Sequence, residues 1–376
     1  MSCNASCTRV SFRPRPPQES TYKHTILTHR AIVSDVTHAR YGHHLSVEQV
    51  NALVAPKDES FDLVHEWLAS FGVEPAHLTY SAAKDWIKVT LPVSTVEDLL
   101  DTKYHVFQHE DGTRLVRTPQ WSLPEHLHEH IDMISPTNSF FRARPQSTLA
   151  MSASSRFPLS AFPQPATSPF AAAVCNTSGI TPLCLRTLYN TLDYVPQAPG
   201  RNQIGLTDYL GESNNRSDIS LFLRKYRPEA TPYAYQFQVD IINGGDDQQT
   251  PDTPAQLAET KDTEGDLDAE TIIGITFPTP LTAYTTGGSP PFMPDDQTPV
   301  DENEPYLDWL MYVLAQPFVP QTISTSYSDD EQTVPRSYAT TVCNQFAQLG
   351  ARGVSLLFAS GDFGVGPSGN CFSNGE

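Results

Sequence analysis

A stretch rich in Ser, Ala and Pro near the middle of the chain divides this sequence of 376 residues into two parts. Residues 146–173 contain the runs Gln-Ser-Thr-Leu-Ala-Met-Ser-Ala-Ser-Ser-Arg and Phe-Pro-Gln-Pro-Ala, a composition typical of exposed linkers, where proteases cut. We predict a poorly ordered segment over 1–39, a first domain over 40–145, a linker over 146–175 and a second domain over 176–376.

Helical and strand patterns alternate in both parts, which predicts an α/β protein. The first domain has the composition of a small α+β unit, in which Ser46 begins a helix. In the second domain, apolar strands such as Ile272–Phe277 and Val354–Ser360 alternate with helices, one of which we expect Thr263 to cap. Repeated β-α-β units predict a mainly parallel sheet flanked by helices.

The net charge of −19 is unevenly distributed. Residues 1–175 contain 15 of the 24 basic residues and 17 of the 43 acidic ones. The other 9 basic and 26 acidic residues lie in residues 176–376. The second part would repel nucleic acid and anionic membranes, and we predict neither as a partner. Its charge fits an acidic working compartment and an ordinary soluble acidic surface equally well.

All 12 histidines lie between His24 and His130. If the second part is catalytic, its general base within residues 131–376 cannot be an imidazole, and carboxylates are the obvious substitute. His126, His128 and His130 could bind a metal ion. Their spacing of two along a helix does not place the three rings on one face, so we favour a solvated helix and predict no metal site.

Four of the six cysteines form two pairs, Cys175 with Cys184 and Cys343 with Cys371. Both pairs could be disulfides in an oxidising compartment. Together with Asn-X-Ser/Thr sequons they favour secretion, although the polar N-terminus lacks the apolar stretch of a signal peptide.

Three carboxylates stand out as candidate catalytic residues. Asp362 follows the strand predicted over Val354–Ser360 in a Ser-Gly-Asp-Phe-Gly loop, and sites in open α/β sheets form at the carboxyl ends of strands. Glu264 and Asp268 are four apart on a predicted helix, and like charges in a shared buried site raise the pKa of at least one of them. The ordinary alternatives are a turn aspartate for Asp362 and a solvated acidic stretch around Glu264 and Asp268.

Several motifs occur in order along the second part. They are Thr-Glu264-Gly-Asp-Leu-Asp268, Pro-Thr-Pro-Leu-Thr-Ala-Tyr-Thr-Thr-Gly-Gly (278–288), Asn-Glu-Pro-Tyr-Leu-Asp-Trp (303–309), Thr-Ile-Ser-Thr-Ser-Tyr (322–327), Ala-Gln-Leu-Gly-Ala-Arg-Gly-Val-Ser (347–355) and Ser-Gly-Asp362. In this order they resemble the sedolisin (serine-carboxyl peptidase) family, in particular its fungal secreted tripeptidyl-peptidases. Residues 40–135, with Tyr41-Gly-His-His-Leu-Ser near their start, resemble the propeptide of that family.

The resemblance implies a subtilisin-like fold and a serine nucleophile assisted by carboxylates. By position it assigns Glu264 as the base, Asp268 as its orienting partner and Asp362 as the protonated donor to the oxyanion, which requires acid conditions. It also implies peptide or protein substrates, a propeptide that docks on its own catalytic domain, secretion, and calcium as cofactor.

The sequence also departs from the pattern of the family. The Ser-Gly-Thr-Ser motif of the nucleophile, and the calcium site after it, belong beyond Glu376, so the chain as given is predicted to be inactive. Phe363 and Ser328 stand where a serine and a glycine are usual. A non-enzymatic relic that binds or inhibits an intact peptidase is the alternative, and an intracellular acidic binding protein is a third.

Overall fold

A computed structural model describes residues 7–14, 19–108, 114–138, 173–176, 179–294, 298, 301 and 303–361. Its strands are β1 (Cys7–Pro14), β2 (Thr79–Tyr80), β3 (Ile87–Pro92), β4 (His105–Gln108), β5 (Arg114–Arg117), β6 (Ile131–Ser135), β7 (Ile204–Asp208), β8 (Gln238–Ile242), β9 (Leu281–Thr286), β10 (Thr322–Thr325) and β11 (Ser355–Phe358). Its α-helices are α1 (Glu19–Ser34), α2 (Val47–Val54), α3 (Asp58–Ser70), α4 (Val93–Leu99), α5 (Pro182–Leu188), α6 (Arg216–Tyr226), α7 (Pro254–Ala258), α8 (Thr263–Thr276), α9 (Tyr306–Leu314) and α10 (Arg336–Ala351). Over these ranges, every helix is too short or too polar to cross a membrane.

The chain groups into two compact units. The first combines residues 1–143 with 289–318 and 329–355, and the second combines 144–288 with 319–328 and 356–376. Contacts in space therefore do not follow the linear boundary predicted at the linker. Helices and sheets are present in both units, which confirms the predicted α/β class.

The first unit contains an antiparallel sheet with the strand order β2–β3–β1–β6 and a separate hairpin of β4 and β5. Ser46 caps helix α2, as predicted, because its Oγ accepts from the backbone N–H of Gln49. Gln49 Oε1 also accepts from the backbone N–H of Ser46, which completes a capping box. Helix α3 buries Val64, Trp67 and Leu68, at the spacing of one helical face. The ring of Phe12 on β1 packs edge-on against Trp67, which joins the sheet to this helix.

Within the segment 1–39, residues 7–14 and 19–39 do not form the poorly ordered region that the polar composition predicted. The segment contains β1 and α1, and β1 pairs with both β3 and β6 as a central strand. Phe12 is fully buried and Arg13 is 2% exposed. The prediction fails for these elements because the strand is stabilised by two partners that lie far away in the sequence.

Helix α10 packs against N-terminal residues within the first unit. Ile26, Val50 and Val54 form one apolar cluster with Ala351, and the backbone N–H of Leu45 donates to the Ala351 carbonyl at 2.9 Å. Arg13 Nη1 donates to Thr341 Oγ1 at 3.3 Å. Residues from both sides of the Ser/Ala/Pro-rich stretch therefore build a common core in this unit.

The second unit contains a five-stranded sheet with the order β11–β10–β7–β9–β8. The pairs β10/β7, β7/β9 and β8/β9 are parallel, as predicted from the repeated β-α-β pattern. Helices α6 and α8 contribute Ile219, Leu223, Ala269 and Ile273 to a core against the buried side chains of β7 and β9. The helices thereby fix the position of the sheet.

The strand predicted over Ile272–Phe277 is instead the second half of α8. Within this stretch the buried residues are Ile273 and Gly274, which continue the helical spacing set by Ala269. A short apolar run of β-branched residues fits a buried strand and a buried helix equally well, which is why the prediction failed. The strand comes later, as β9, after Pro278 has ended the helix.

One of the two predicted disulfides is confirmed. Cys175 and Cys184 are bonded, with their Cα atoms 4.8 Å apart. Cys343 is instead an exposed free cysteine, so it does not form the predicted bridge, and Cys371 lies outside the described residues.

We predict that Cys175→Ser lowers the free energy of unfolding by about 2–3 kcal/mol, because the bridge closes a short loop and restricts the unfolded chain. Urea unfolding of the oxidised protein measures this, with Cys343→Ser as the matched control that leaves the midpoint unchanged. Equal midpoints for the two variants would show that the bridge does not stabilise the fold.

Candidate active site

The carboxyl ends of two neighbouring parallel strands lie at one edge of the sheet in the second unit. β7 ends at Asp208, and β10 ends at Thr325 with Ser326 and Tyr327 directly after it. Thr207 pairs with Thr325 in the ladder, and their hydroxyl oxygens are 2.9 Å apart. Because ligand sites in open parallel sheets form at this edge, these side chains define the candidate site.

Helix α8 carries the two predicted carboxylates, Glu264 and Asp268. Glu264 is the second residue of the helix and Asp268 lies one turn later, so both project from the same side. Ser326 Oγ donates a hydrogen bond to Asp268 Oδ2 at 2.5 Å. Burial raises the pKa of Asp268, and the Ser326 hydrogen bond acts against this rise. The structure therefore places Asp268 at the carboxyl end of β10.

Tyr327 lies among several carboxyl groups. Its ring is buried and packs edge-on against Tyr209, with 5.3 Å between the ring centroids. Burial raises the pKa of Tyr327 well above its ordinary value, and negative charges nearby raise it further. The groups that carry those charges are Asp208, Glu212, Glu264 and Asp268. The phenol stays protonated, in an electrostatic environment shared by both predicted carboxylates.

Asp208 is a candidate functional residue that the sequence reasoning missed. It is fully buried, and no hydrogen bond of ordinary length reaches either carboxyl oxygen from the residues that the structure describes. Burial raises the pKa of Asp208 well above its ordinary value, the charges of Asp268 and Glu212 add to the rise, and the side chain of Asn214 opposes it. The signal was present in the sequence, because Asp208 ends an apolar strand just as Asp362 follows one.

The acidic residues around Glu264 do not form a solvated stretch. Asp262 is 4% exposed, while Asp266 and Glu270 are partly buried. Burial, followed by repulsion from neighbouring carboxylates, raises the pKa of Asp266 to about 8 and that of Glu270 to about 7. The ordinary alternative for this segment is therefore wrong.

The third predicted carboxylate, Asp362, lies outside the described residues. The described chain continues from β11 to Gly361, and the backbone N–H of Ala359 donates to the Thr325 carbonyl at 3.0 Å. The chain therefore leaves β11 beside the end of β10. The role of Asp362 stays a prediction.

The histidine cluster of the first unit does not form the solvated helix that we favoured. Residues Glu125–Leu127 form a short 3₁₀ turn. The ring of His130 is hydrogen-bonded to Ser60 Oγ, and that of His128 lies 3.0 Å from the Leu123 carbonyl oxygen. Across the described part of the chain, no three His, Cys, Asp or Glu side chains converge as metal ligands.

Comparison of the sequence with known proteins indicates the family of this chain. Residues 24–140 match the family model "Pro-kumamolisin, activation domain". The chain is 36% identical over 349 residues to tripeptidyl-peptidase SED2 of Arthroderma otae, covering 91% of this chain and 55% of that protein. It is 36% identical over 359 residues to the probable tripeptidyl-peptidase SED3 of Trichophyton verrucosum, covering 93% of this chain and 56% of that protein.

A similar match extends to tripeptidyl-peptidase sed4 of Aspergillus fumigatus, with 36% identity over 339 residues, 89% of this chain and 52% of that protein. The chain belongs to the sedolisin family. This sedolisin spans about half the length of the curated relatives it matches. Its activation-domain match begins at residue 24, inside the segment predicted to be poorly ordered, and includes most of α1.

The buried carboxyls of this sedolisin predict that it is less stable at neutral pH than in acid. The pKa of Asp266 is near its ordinary value in the unfolded chain and about 8 in the folded one. The folded state therefore holds a proton that the unfolded state releases. The stability that protonated Asp266 contributes is fully present below about pH 4 and is lost as the pH rises towards 8.

We expect Asp266→Asn to reduce the fall in unfolding free energy between about pH 5 and 8 by roughly 2 kcal/mol, a value discounted for partial exposure. The amide keeps an oxygen that can accept from the backbone N–H of Asn215, which Asp266 Oδ1 binds at 2.6 Å. Urea unfolding at several pH values tests this, with the exposed Glu259→Gln as control. An unchanged slope in Asp266→Asn would contradict the assignment.

Proposed function

We propose that this chain is the precursor of an acid-acting serine-carboxyl peptidase that hydrolyses peptide bonds in the manner of a tripeptidyl-peptidase. The observation that carries the proposal is the position of Glu264 and Asp268 on the first turns of α8, with Asp268 hydrogen-bonded to Ser326 at the carboxyl end of β10. The similarity to proteins named tripeptidyl-peptidases supports the substrate class.

In this proposal Glu264 is the general base and Asp268 orients it. Burial raises the pKa of Asp268, so the proposed partner of the base can itself hold a proton in acid. Asp362, held protonated, would donate to the developing oxyanion. The absence of histidine from residues 131–376 supports carboxylate chemistry within this part of the sequence.

The nucleophile is proposed to be the serine of a Ser-Gly-Thr-Ser motif, and residues 1–376 do not contain that motif. Without a nucleophile the rate of peptide hydrolysis falls by several orders of magnitude, so these residues alone are predicted to be inactive. The calcium site implied by the resemblance is likewise proposed to follow residue 376.

Residues of the activation domain are proposed to act as a propeptide that docks on its own catalytic domain. The packing of Ile26, Val50 and Val54 against Ala351 of α10 supports this. Arg13, on the strand that precedes the matched domain, also donates a hydrogen bond to Thr341 of α10. The disulfide between Cys175 and Cys184 supports secretion, since such bonds persist in oxidising compartments.

The test of function joins residues 1–376 to the part of the Arthroderma otae tripeptidyl-peptidase that follows the matched region. We expect this hybrid to cleave a peptide with a free N-terminus after its third residue, most rapidly at about pH 4–5, where carboxyls begin to protonate. Glu264→Gln, Asp268→Asn and Asp362→Asn should each lower kcat at least about a hundredfold. Residues 1–376 alone serve as the inactive control.

An active Glu264→Gln hybrid would show that the chemistry has been placed on the wrong residues. A blocked N-terminus separates the two peptidase modes, because an exopeptidase loses the substrate and an endopeptidase keeps it. If residues 1–376 alone inhibit an intact peptidase while the hybrid is inactive, the non-enzymatic alternative is correct.

Release of the propeptide is predicted to depend on histidine protonation near pH ~6. The ring of His44 lies so close to Gly353, two residues beyond α10, that a Cβ placed there would be 2.5 Å from His44 Cδ2. Burial lowers the pKa of His29, on α1, and the charge of Arg40 lowers it further, so this ring gains its proton in acid. Added positive charge beside Arg40 destabilises this region of α1, the helix that contacts α10.

Replacement of His29 and His44 by glutamine should move the midpoint of autoprocessing in the 146–175 linker to lower pH. The hybrid, titrated from neutral to acid and followed by gel electrophoresis, provides the measurement, with His105→Gln on the hairpin as control. If the midpoint stays at the parent value even when all twelve histidines are replaced, histidine is not the sensor.

A further inference from the structure

Helix α8 begins without a cap from its own N-cap residue. Asp262 precedes the helix with φ of 63°, in the left-handed region, and its side chain makes no capping hydrogen bond. Its Oδ1 instead accepts from the backbone N–H and the hydroxyl of Ser213, at 3.0 and 2.8 Å. The first N–H groups of a helix need acceptors, so those of α8 must be satisfied from elsewhere.

Glu212, in the loop after β7, supplies the missing acceptor. Its Oε2 accepts from the backbone N–H of Glu264 at 3.1 Å and from that of Gly265 at 3.2 Å. Glu212 is 4% exposed, so few water molecules can compete for these donors. A carboxylate at a helix N-terminus also interacts favourably with the helix dipole.

The loop is fixed to the helix by further bonds on either side of Glu212. Asn214 Nδ2 donates to the Gly265 carbonyl at 2.8 Å, and the backbone N–H of Asn215 donates to Asp266 Oδ1 at 2.6 Å. A Cβ at Gly265 would lie 2.5 Å from the Ser213 carbonyl oxygen, so only glycine permits this approach. The loop and the first turn of α8 therefore have little freedom to shift against each other.

A half-buried lysine, Lys261, also links the loop after β7 to the residues that precede α8. Lys261 Nζ lies 2.6 Å from Asp262 Oδ1 and 2.9 Å from Asp246 Oδ2, and it donates to the Gly211 carbonyl at 3.1 Å. Because Gly211 immediately precedes Glu212, this contact fixes the start of the loop.

We propose that Glu212 is a positioning residue for catalysis, which sets the place of Glu264 by holding its backbone N–H against the end of β7. The inference rests on the proposed role of Glu264 as the base. Glu212 belongs to the loop that continues from the carboxyl end of β7, so it fixes the base relative to the sheet edge at which Ser326 binds Asp268. A shift of about 1 Å in a reacting group can cost about a hundredfold in rate. Loss of the contact that holds Glu264 in place should therefore slow the reaction.

Glu212 acts by presenting an acceptor oxygen to the two N–H groups. A neutral amide side chain, which also carries such an oxygen, should therefore retain much of this function. Burial raises the pKa of Glu212, while its bonds to the N–H groups of Gly265 and Glu264 oppose that rise. Both forms of the carboxyl group offer an oxygen to the two donors. Glu212→Gln keeps such an oxygen, and Glu212→Ala removes it.

The first arm of the test measures hydrogen exchange by NMR in residues 1–376. In Glu212→Ala the amides of Glu264 and Gly265 should exchange about tenfold faster, because they lose a buried charge-assisted hydrogen bond. In Glu212→Gln the increase should be smaller, and in the exposed control Glu259→Ala both amides should keep the parent rate. Parent exchange rates in Glu212→Ala would overturn the inference.

The second arm measures kcat, KM and the pH profile in the active hybrid. Glu212→Ala should lower kcat about ten- to a hundredfold with KM nearly unchanged, and should shift the acid limb of kcat/KM, because the base is displaced rather than the substrate site. Glu212→Gln should recover most of kcat. Equal losses in the two variants would overturn the inference, because the acid function of Glu212, and not its acceptor oxygen, would then be needed.

The same hybrid separates this inference from the proposed function. Parent activity in Glu264→Gln overturns the proposed base, and the positioning role with it. Loss of activity in Glu264→Gln together with parent kcat in Glu212→Ala overturns the positioning role alone.

Discussion

The burial of carboxyl groups at the carboxyl end of the second unit's sheet constrains both its stability and its chemistry. Asp208 is fully buried, and burial raises its pKa and that of Asp268. The nearby ammonium of Lys261 is bonded to Asp246 and Asp262. A carboxyl group that is buried without a cation is most stable when it holds a proton. Low pH therefore stabilises the folded state. At low pH a protonated carboxyl group can also donate a hydrogen bond to an oxyanion.

The sequence predicted the elements that local signals define, and it failed where distant contacts decide. Ser46 and Gln49 cap α2 through residues three apart, so α2 was predictable. Strand β1 and the terminal half of α8 were not, because pairing with β3 and β6 and packing against a distant core decide them. The pair Glu264 and Asp268 could be found from spacing and from the family resemblance.

Glu212 could not be found in the same way. Its contact with Glu264 spans 52 positions of the chain, and nothing in the local composition of the loop after β7 indicates that a glutamate there caps another helix. The predicted cap, Thr263, is instead the first residue of the helix, and the side chain of the N-cap residue Asp262 is hydrogen-bonded to Ser213. Glu212 of the loop thus accepts from the first N–H groups of the helix, and Asp262, before the helix, accepts from Ser213 of the loop. The loop and the helix therefore each supply a buried acceptor to the other.

Acidification acts differently on the two sets of residues that meet in the first unit. Near the start of α9, the backbone N–H of Glu304 donates to Asp329 Oδ1, and burial, followed by the carboxyl group of Asp329, raises the pKa of Glu304 well above its ordinary value. Protonation therefore removes a repulsion within this carboxyl pair. All of the histidines lie in the N-terminal part, where the same protons add charge. Falling pH thus removes a repulsion near the start of α9 while it adds charge to the N-terminal part that carries the histidines, so the same change in pH can stabilise one set of residues and destabilise the other.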